Sequence, residues 1–172
     1  LEGLSTGHYL LFTPTWTRGG DIADAGAVTW INTSNGKLVN GAAGGVIASS
    51  NSIVGASAGD RIGSDGLEGI GYIYYSNAYL IRSSNFKNGS VAGAGALTWM
   101  NASNGLLAGM TSADGFDGTV TAVNSLVGSA VDDRIGGDSM RITSIDSFGP
   151  DYRMLISHGS TAGGAGSVTW MQ

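Results

Sequence analysis

A five-residue pattern ending in Trp occurs three times, and this recurrence constrains the fold more than any other feature. The segment Gly-Ala-Val-Thr-Trp at residues 26–30 returns as Gly-Ala-Leu-Thr-Trp at 95–99 and as Gly-Ser-Val-Thr-Trp at 166–170. The tryptophans that end the segments are 69 and 71 residues apart. A fixed period of this length is the signature of a repeat architecture. We therefore expect about two and a half copies of a roughly 70-residue unit.

Two further blocks keep their order relative to the Trp block. Asn51–Gly55, followed by Asp60–Gly63, recurs 73 residues later at 124–128 and 133–136. An apolar block also precedes each Trp block, at Tyr9–Phe12, at Tyr79–Arg82 and, more loosely, at Met154–Ser157. Three blocks in fixed order make a chance similarity negligible.

Each block has the composition of a β-strand. The blocks are short, rich in β-branched and aromatic residues, and bounded by Gly, Asn, Asp or Ser, which is typical of strands separated by tight turns. No segment has the pattern of a helix. One unit is predicted to contain four strands, located near Ile70–Tyr75, at Tyr79–Ser83, in the Thr-Trp segment and after Asn104-Gly105. The predicted fold class is all-β, with tandem four-stranded antiparallel units.

Two Asn-Gly pairs predict hairpin turns. Asn-Gly favours the positive φ angles of a two-residue turn, and it occurs at residues 35–36 and 104–105. The turns pair Ala27–Ile31 with Lys37–Val39, and Ala96–Met100 with Leu106–Ala108. The Gly-rich segment from residue 42 to residue 66 is then expected to connect one unit to the next.

Four strands per unit match the blade of a β-propeller. A β-solenoid and a pseudo-threefold β-prism or trefoil remain alternatives. The expected organisation is a partial unit at 1–50, a full unit at 51–123 and a partial unit at 124–172. Two and a half blades cannot close a ring of about four to eight. The expected partners are therefore further repeat units or further copies of the chain.

Composition excludes several classes of protein. A hydrophobic fraction of 42% with four tryptophans argues against disorder. The net charge of -5 and only 8 Lys and Arg, without clusters, indicate that nucleic acid is not a partner. Without Cys there is no disulfide framework or thiolate zinc site. No apolar run approaches the roughly 18 residues of a membrane span, so membrane insertion is not expected. Because position 1 is Leu rather than Met, we expect an excerpt of a longer chain.

The order of these motifs resembles a known repeat family. The Asp-x-Ile-Gly segment at 60–63 and 133–136, with an apolar strand at Tyr79–Ser83 and a Gly-Ala-x-x-aromatic strand at 95–99, is similar to the FG-GAP repeat. That family builds the integrin α-subunit propeller, and a bacterial variant occurs in long secreted or surface exoproteins. The resemblance implies propeller blades and an extracellular or cell-surface location. The alternating Asp and Asn residues of the family's calcium loop are missing at 64–69 and 137–141, so its calcium sites are not carried over.

A weak metal-site candidate lies in a Gly-rich loop. Asp114 and Asp117 are three residues apart, and calcium prefers oxygen ligands of this kind. Calcium usually takes about six or more oxygens, and the first unit has no acidic residue at this place. A solvated turn is the favoured interpretation, and we expect no cofactor.

A candidate ligand-binding pair is Trp16 and Phe86. Each lies 7 residues beyond an equivalent tyrosine, Tyr9 or Tyr79. Exposed aromatic rings can stack on sugars. The favoured alternative is that both rings wedge between neighbouring units and bury their large apolar area there.

Catalytic motifs are missing. His8 and His158 have no Ser or Cys nucleophile motif near them, and no Gly-x-Ser-x-Gly, His-Glu-x-x-His or phosphate loop occurs. Asp132 and Asp133 are adjacent, so in an extended segment they point to opposite faces and do not cooperate. The chain is not expected to be an enzyme.

These observations favour a noncatalytic extracellular or cell-surface repeat protein with an adhesive or structural role. Two alternatives remain. The first is a carbohydrate-binding, lectin-like propeller module with glycan partners. The second is an accessory domain of a larger enzyme.

Overall fold

The computed structural model describes residues 1–69, 77–111, 115–138, 140–146, 153–158 and 167–171. Every regular secondary-structure element in these ranges is a β-strand, so the all-β prediction is confirmed. No helix long and apolar enough to cross a membrane is found among the described residues. The strands are β1 (Glu2–Gly3), β2 (Tyr9–Thr13), β3 (Ala27–Ile31), β4 (Ile53–Val54), β5 (Leu67–Gly69), β6 (Ala78–Ser83), β7 (Ala96–Asn101), β8 (Ser125–Val127), β9 (Met140–Asp146), β10 (Arg153–His158) and β11 (Ser167–Met171).

The strands form three antiparallel sheets in chain order. The first sheet has the order β1-β2-β3-β4, the second β5-β6-β7-β8, and the third β11-β10-β9. Within each sheet, every strand pairs with its neighbour in sequence. The first two sheets confirm the predicted four-stranded unit. Within the described ranges the sheets form neither a closed barrel nor a closed ring of blades.

The three sheets share one register. In each, a leucine of the strand before the Thr-Trp strand lies opposite the recurring tryptophan; the pairs are Leu10 with Trp30, Leu80 with Trp99, and Leu155 with Trp170. Because side chains alternate along a strand, the two sides of a sheet can be distinguished. We call the side of the Leu–Trp pair the back face. The opposite side, which in the second sheet carries Ile81 and Thr98, is the front face.

The sheets pack back to front, and the core lies between them. The back face of the first sheet contributes Leu10, Val28 and Trp30 to a cluster with Ile81 and Met100 from the front face of the second. A second cluster joins residues of the second sheet's back face to the third sheet; its buried members are Leu80, Leu97, Ile135 and Ile156. The second sheet is therefore covered on both faces.

The fourth strand of each unit differs from the prediction. The first sheet ends with β4 and the second with β8, both from the recurring Asn-Ser block. The residues after Asn-Gly make only a single bridge each, Ile31 with Leu38 and Met100 with Leu107. The reason is local, since Leu38 N donates to Ala42 O at 2.8 Å and turns the chain away from β3. The segment 42–66 thus contains β4 in addition to connecting the two units.

The predicted two-residue Asn-Gly turns are wrong as well. Gly36 N donates to Asn32 O at 2.7 Å, and Asn32 N donates to Lys37 O at 2.8 Å, which closes a four-residue loop. Only Gly36, with φ +70°, lies in the left-handed region. The Asn32 side chain accepts a hydrogen bond from Ser34 N at 2.9 Å, a local turn that competes with the tighter hairpin. The second unit repeats this loop around Asn101.

Two predictions concern unit boundaries and the first strand of a unit. The strand expected near residues 70–75 falls outside the described residues, and the first strand of the second sheet is Leu67–Gly69. The boundaries at 50 and 123 stay predictions. The sheets themselves run from Glu2 to Val54 and from Leu67 to Val127.

Candidate functional site at the junction between repeat units

The recurring Asn-Ser pair anchors the fourth strand of each unit. Asn51 Oδ1 accepts hydrogen bonds from Ala48 N at 3.0 Å and from the Ser52 hydroxyl at 2.9 Å, and its Nδ2 donates to Val46 O at 2.9 Å. Ser52 also shares a 2.8 Å hydrogen bond with the Thr29 hydroxyl in β3. The Asn51 side chain thus fixes the turn before β4, and the Ser52 hydroxyl ties the start of β4 to β3.

The second unit repeats these contacts. Asn124 binds Thr121 N, Thr119 O and the Ser125 hydroxyl at 2.9–3.0 Å, and Ser125 binds the Thr98 hydroxyl at 2.8 Å. The recurrence of the block at a spacing of 73 therefore has a structural cause.

A buried carboxylate ties the first unit to the second. Asp60 is fully buried, and its Oδ2 accepts hydrogen bonds from Ala56 N at 2.9 Å and Ser57 N at 2.8 Å. Its Oδ1 accepts a 3.0 Å hydrogen bond from Lys87 N, which belongs to the second unit. Burial raises the pKa of the Asp60 carboxyl above its ordinary value of 3.8, and the N–H donors of Ser57, Lys87 and Ala56 oppose that rise.

This raised pKa has a consequence for stability. The folded protein holds the Asp60 proton more tightly than the unfolded chain, so this group favours folding below pH 3.8. That contribution is lost as the pH rises through the folded pKa. Urea titrations at a series of pH values measure the unfolding free energy of wild type and of Asp60→Asn. We expect the wild-type value minus the variant value to fall as the pH rises from 3.8 through the folded pKa. A difference that grows with pH contradicts the assignment.

The second unit places Asp133 in the same way. Its Oδ2 accepts hydrogen bonds from Ser129 N and Ala130 N, both at 2.8 Å. Asp132 and Arg134 have positive φ angles of 60° and 50°, so this segment is a turn. The prediction that Asp132 and Asp133 lie in an extended segment is wrong, because the loop folds around the buried Asp133 carboxylate.

The Asp-Arg-Ile-Gly loop packs on the start of the Thr-Trp strand. Ile62 N donates to Ala25 O at 3.1 Å, and Ile135 N donates to Ala94 O at 3.0 Å. A Cβ on Gly26 or Gly95 would overlap backbone atoms of the isoleucine that passes over it. This close approach explains why glycine precedes the Thr-Trp strand in the first two units.

Trp30 reaches across the junction into the second unit. Its Nε1 donates to Ala102 O at 2.9 Å, and its indole face lies on Gly105, where an added Cβ would come within 2.9 Å of the ring. The edge of His8 packs on the same indole at 4.9 Å between ring centroids. Trp99 is only half-buried, and its indole nitrogen has no hydrogen-bond partner among the described residues.

Short polar contacts complete the junction. Gly63 N donates to the Ser83 hydroxyl at 3.0 Å. Asp65 accepts hydrogen bonds from Ser84 N at 2.7 Å and from the Ser84 hydroxyl at 2.9 Å. Gly63 and Asp65 are therefore bound to β6 and to the turn after it, and the first two units form one packed structure.

Comparison with known proteins places these units in a family. A family model described as a repeat of unknown function, DUF5650, matches residues 3–64 and 75–137, more than half of the chain. The chain belongs to this family. No curated protein and no solved structure matches it. Each matched stretch ends one residue beyond the Asp-Arg-Ile-Gly loop, so the recurring polar contacts described above lie within the DUF5650 repeat.

The aromatic pair predicted from the sequence lies at equivalent turns of the two DUF5650 repeats. Phe86 is 4% exposed and belongs to the core between the first two sheets, so its ring presents no face for stacking on a sugar. Trp16 is half-buried. Trp16 N donates to Thr13 O at 3.0 Å, and Phe86 N donates to Ser83 O at 3.1 Å. The two rings therefore occupy the same turn, but only the one at the junction is covered.

The acidic pair is only partly described. Asp114 lies outside the described residues. Asp117 is exposed, and its Oδ1 accepts hydrogen bonds from Thr119 N at 3.0 Å and from the Thr119 hydroxyl at 2.8 Å. These two donors hold the pKa of the Asp117 carboxyl below its ordinary value. In the part of the chain that is described, no three His, Cys, Asp or Glu side chains gather as a metal site.

Of the two histidines, the structure describes the side chain of His8. His8 packs on Trp30, and its Nδ1 accepts a long hydrogen bond of 3.4 Å from Thr33 N. The side chain of His158 lies outside the description. His8 is therefore one of the groups that orient the junction tryptophan.

A shallow groove that spans the two DUF5650 repeats was not found from the sequence. Its volume is about 380 Å³, and its lining residues are Val39, Asn40, Asn104, Leu106, Thr111, Gly115 and Phe116. The residues after the two Asn-Gly loops meet here because the sheets stack. No motif marks this meeting, since it depends on the packing of one unit against the next.

Proposed function

We propose that the chain is a noncatalytic structural segment of a secreted or cell-surface protein, in which DUF5650 repeats stack back to front as a scaffold. The observation that carries the proposal is the use of the recurring polar side chains. Asn51 and Asn124 hold strands, Asp60 binds Lys87 N of the next unit, and Trp30 binds Ala102 O. What recurs in the repeat serves folding and stacking.

The FG-GAP resemblance extends this proposal to the arrangement of the sheets. We propose that the sheets are blades arranged around a common axis, as in a propeller. Two features support a blade: the antiparallel strands follow chain order within each sheet, and successive sheets pack face to face. A linear stack is the alternative, and the association experiment below distinguishes a closed ring from open growth.

A carbohydrate-binding role is the second candidate, and the groove between the units favours it. Asn40 and Asn104 offer amide donors and acceptors there, and Phe116 offers an aromatic ring. Sugars are bound by this combination of hydrogen-bonding groups and ring stacking. The groove involves neither Trp16 nor Phe86, the two residues that the sequence suggested.

Two measurements test the proposed function. Antibodies raised against the chain are expected to label intact producing cells or to detect the protein in the medium; label that appears only after lysis contradicts a surface or secreted location. On a glycan array the chain is expected to give no binding. Binding that Phe116→Ala removes, and that the surface control Val123→Ala retains, would replace the scaffold proposal by the second candidate.

A further inference from the structure

We infer that the front face of the first sheet is a docking surface for the back face of another copy of this chain. The inference rests on the proposed back-to-front stacking and names the partner of the stack. It starts from the internal junction, where the front face of the second sheet is covered by the first sheet. The equivalent face of the first sheet has no sheet packed on it in the described structure.

One register position on the front face can be compared in all three sheets by its exposed fraction. Leu11, Ile81 and Ile156 each lie opposite the threonine of the Thr-Trp strand, so they occupy the same register position on the front face. Ile81 is 0% exposed and Ile156 is 2% exposed, whereas Leu11 is 37% exposed. The first sheet therefore presents a side chain that the other two sheets bury against a preceding sheet.

Neighbouring positions repeat this contrast. Tyr9 is 43% exposed, whereas its equivalent Tyr79 packs against the core, and the Tyr79 hydroxyl accepts a hydrogen bond from Ser5 N of the preceding unit. Leu1 is 74% exposed, whereas the leucine at the same place of the second unit, Leu67, also packs against that core. Three large apolar side chains thus form one exposed patch, which marks an interaction surface.

The turn after β2 adds an aromatic anchor and a free donor. Phe86 fills the internal junction, and Trp16 at the equivalent turn is only half-buried. Lys87 N donates to the Asp60 carboxylate across that junction, and the N–H at the equivalent position, Thr17 N, makes no hydrogen bond within the described part of the chain. A docked unit would cover the Trp16 ring, and Thr17 N would be available to donate a hydrogen bond to it.

By its backbone register, the third sheet of another copy offers the equivalent face. In the third sheet Leu155 lies opposite Trp170, the register that marks the back face in the first two sheets. A contact between the front face of one copy and the back face of another joins two different surfaces, so each copy can bind two others. Such a head-to-tail contact produces either a closed ring or an open filament.

Sedimentation velocity of the 172-residue chain over a wide range of concentration tests the inference. We expect the sedimentation coefficient of the wild-type chain to rise with concentration. Leu11→Asp is expected to abolish the rise, because burying an unpaired charge between two sheets is unfavourable. Val123→Asp is the matched control, since Val123 is 94% exposed and does not belong to the first sheet, and it should associate like wild type. A plateau at one size indicates a ring, and continued growth indicates a linear stack.

Two results overturn the inference: a wild-type chain that stays monomeric at every concentration, or equal association of the Leu11→Asp and Val123→Asp variants. Urea unfolding of each variant shows that it is folded, and Tyr9→Lys, at a more exposed position, replaces Leu11→Asp if that variant does not fold. Loss of self-association would leave surface labelling unchanged. Failure of the docking inference and failure of the proposed function are thus separate outcomes.

Discussion

Trp30→Ala is expected to lower the free energy of unfolding by about 3–5 kcal/mol, the usual range for removing a buried tryptophan. The indole is 5% exposed and packs between the first two sheets. Its removal leaves a cavity at the junction and takes one donor from Ala102 O. Urea titration followed by far-UV circular dichroism measures the loss.

Two controls separate the contributions of the indole. Trp30→Phe keeps an aromatic ring but removes the N–H and part of the indole, and Ala102 O still accepts a hydrogen bond from the Thr6 hydroxyl at 3.1 Å. Its expected loss is smaller than that of Trp30→Ala and includes about 1 kcal/mol for the hydrogen bond. Trp99→Ala should be milder than Trp30→Ala, because Trp99 is only half-buried. Equal losses at the two tryptophans would contradict the larger contribution assigned to Trp30.

Gly95→Ala is expected to prevent folding, or to lower the free energy of unfolding by more than about 4 kcal/mol. A Cβ at this position would overlap the backbone N and O of Ile135, and neither atom belongs to a flexible side chain. The φ angle of +75° adds strain for any L-residue. Gly26→Ala should behave in the same way, since its Cβ would overlap Ile62 N.

Gly59→Ala is the matched control. Gly59 has a similar φ of +80°, but an added Cβ would meet no atom within 4 Å. Its expected loss is the conformational term alone, about 1–2 kcal/mol. Thermal and urea unfolding of the three variants measure the difference. If Gly95→Ala and Gly59→Ala lose the same amount, the close packing of the Asp-Arg-Ile-Gly loop is not what requires glycine.

The central strands of each unit were predictable because their signal is local. Ala27–Ile31 and Tyr9–Phe12 are long enough to show apolar and β-branched character, and they form β3 and most of β2. The fourth strand was missed because Ile53–Val54 is only two residues long. Its pairing depends on the hydrogen bonds of Asn51 and Ser52; their recurrence marked these residues but did not show that they hold a strand.

The junction shows the limit of sequence reasoning more clearly. Recurrence marked Trp30 as structural, but the carbonyl it binds is 72 residues away, and only the stacking of the sheets brings the two together. The same holds for Asp60 and Lys87. Phe86 was recognised as a possible wedge because an aromatic residue recurs at that turn. The groove around Phe116 had no such signal.

Two of the junction hydrogen bonds described above end on main-chain atoms of the receiving unit. Trp30 binds the carbonyl of Ala102, and Asp60 binds the N–H of Lys87. The equivalent receiving positions of the first unit are occupied by different residues, Thr33 and Thr17. These two hydrogen bonds do not depend on which side chain the neighbouring unit carries at these positions. At these two contacts, a diverged unit can therefore replace its neighbour during evolution without a compensating substitution on the other side of the joint.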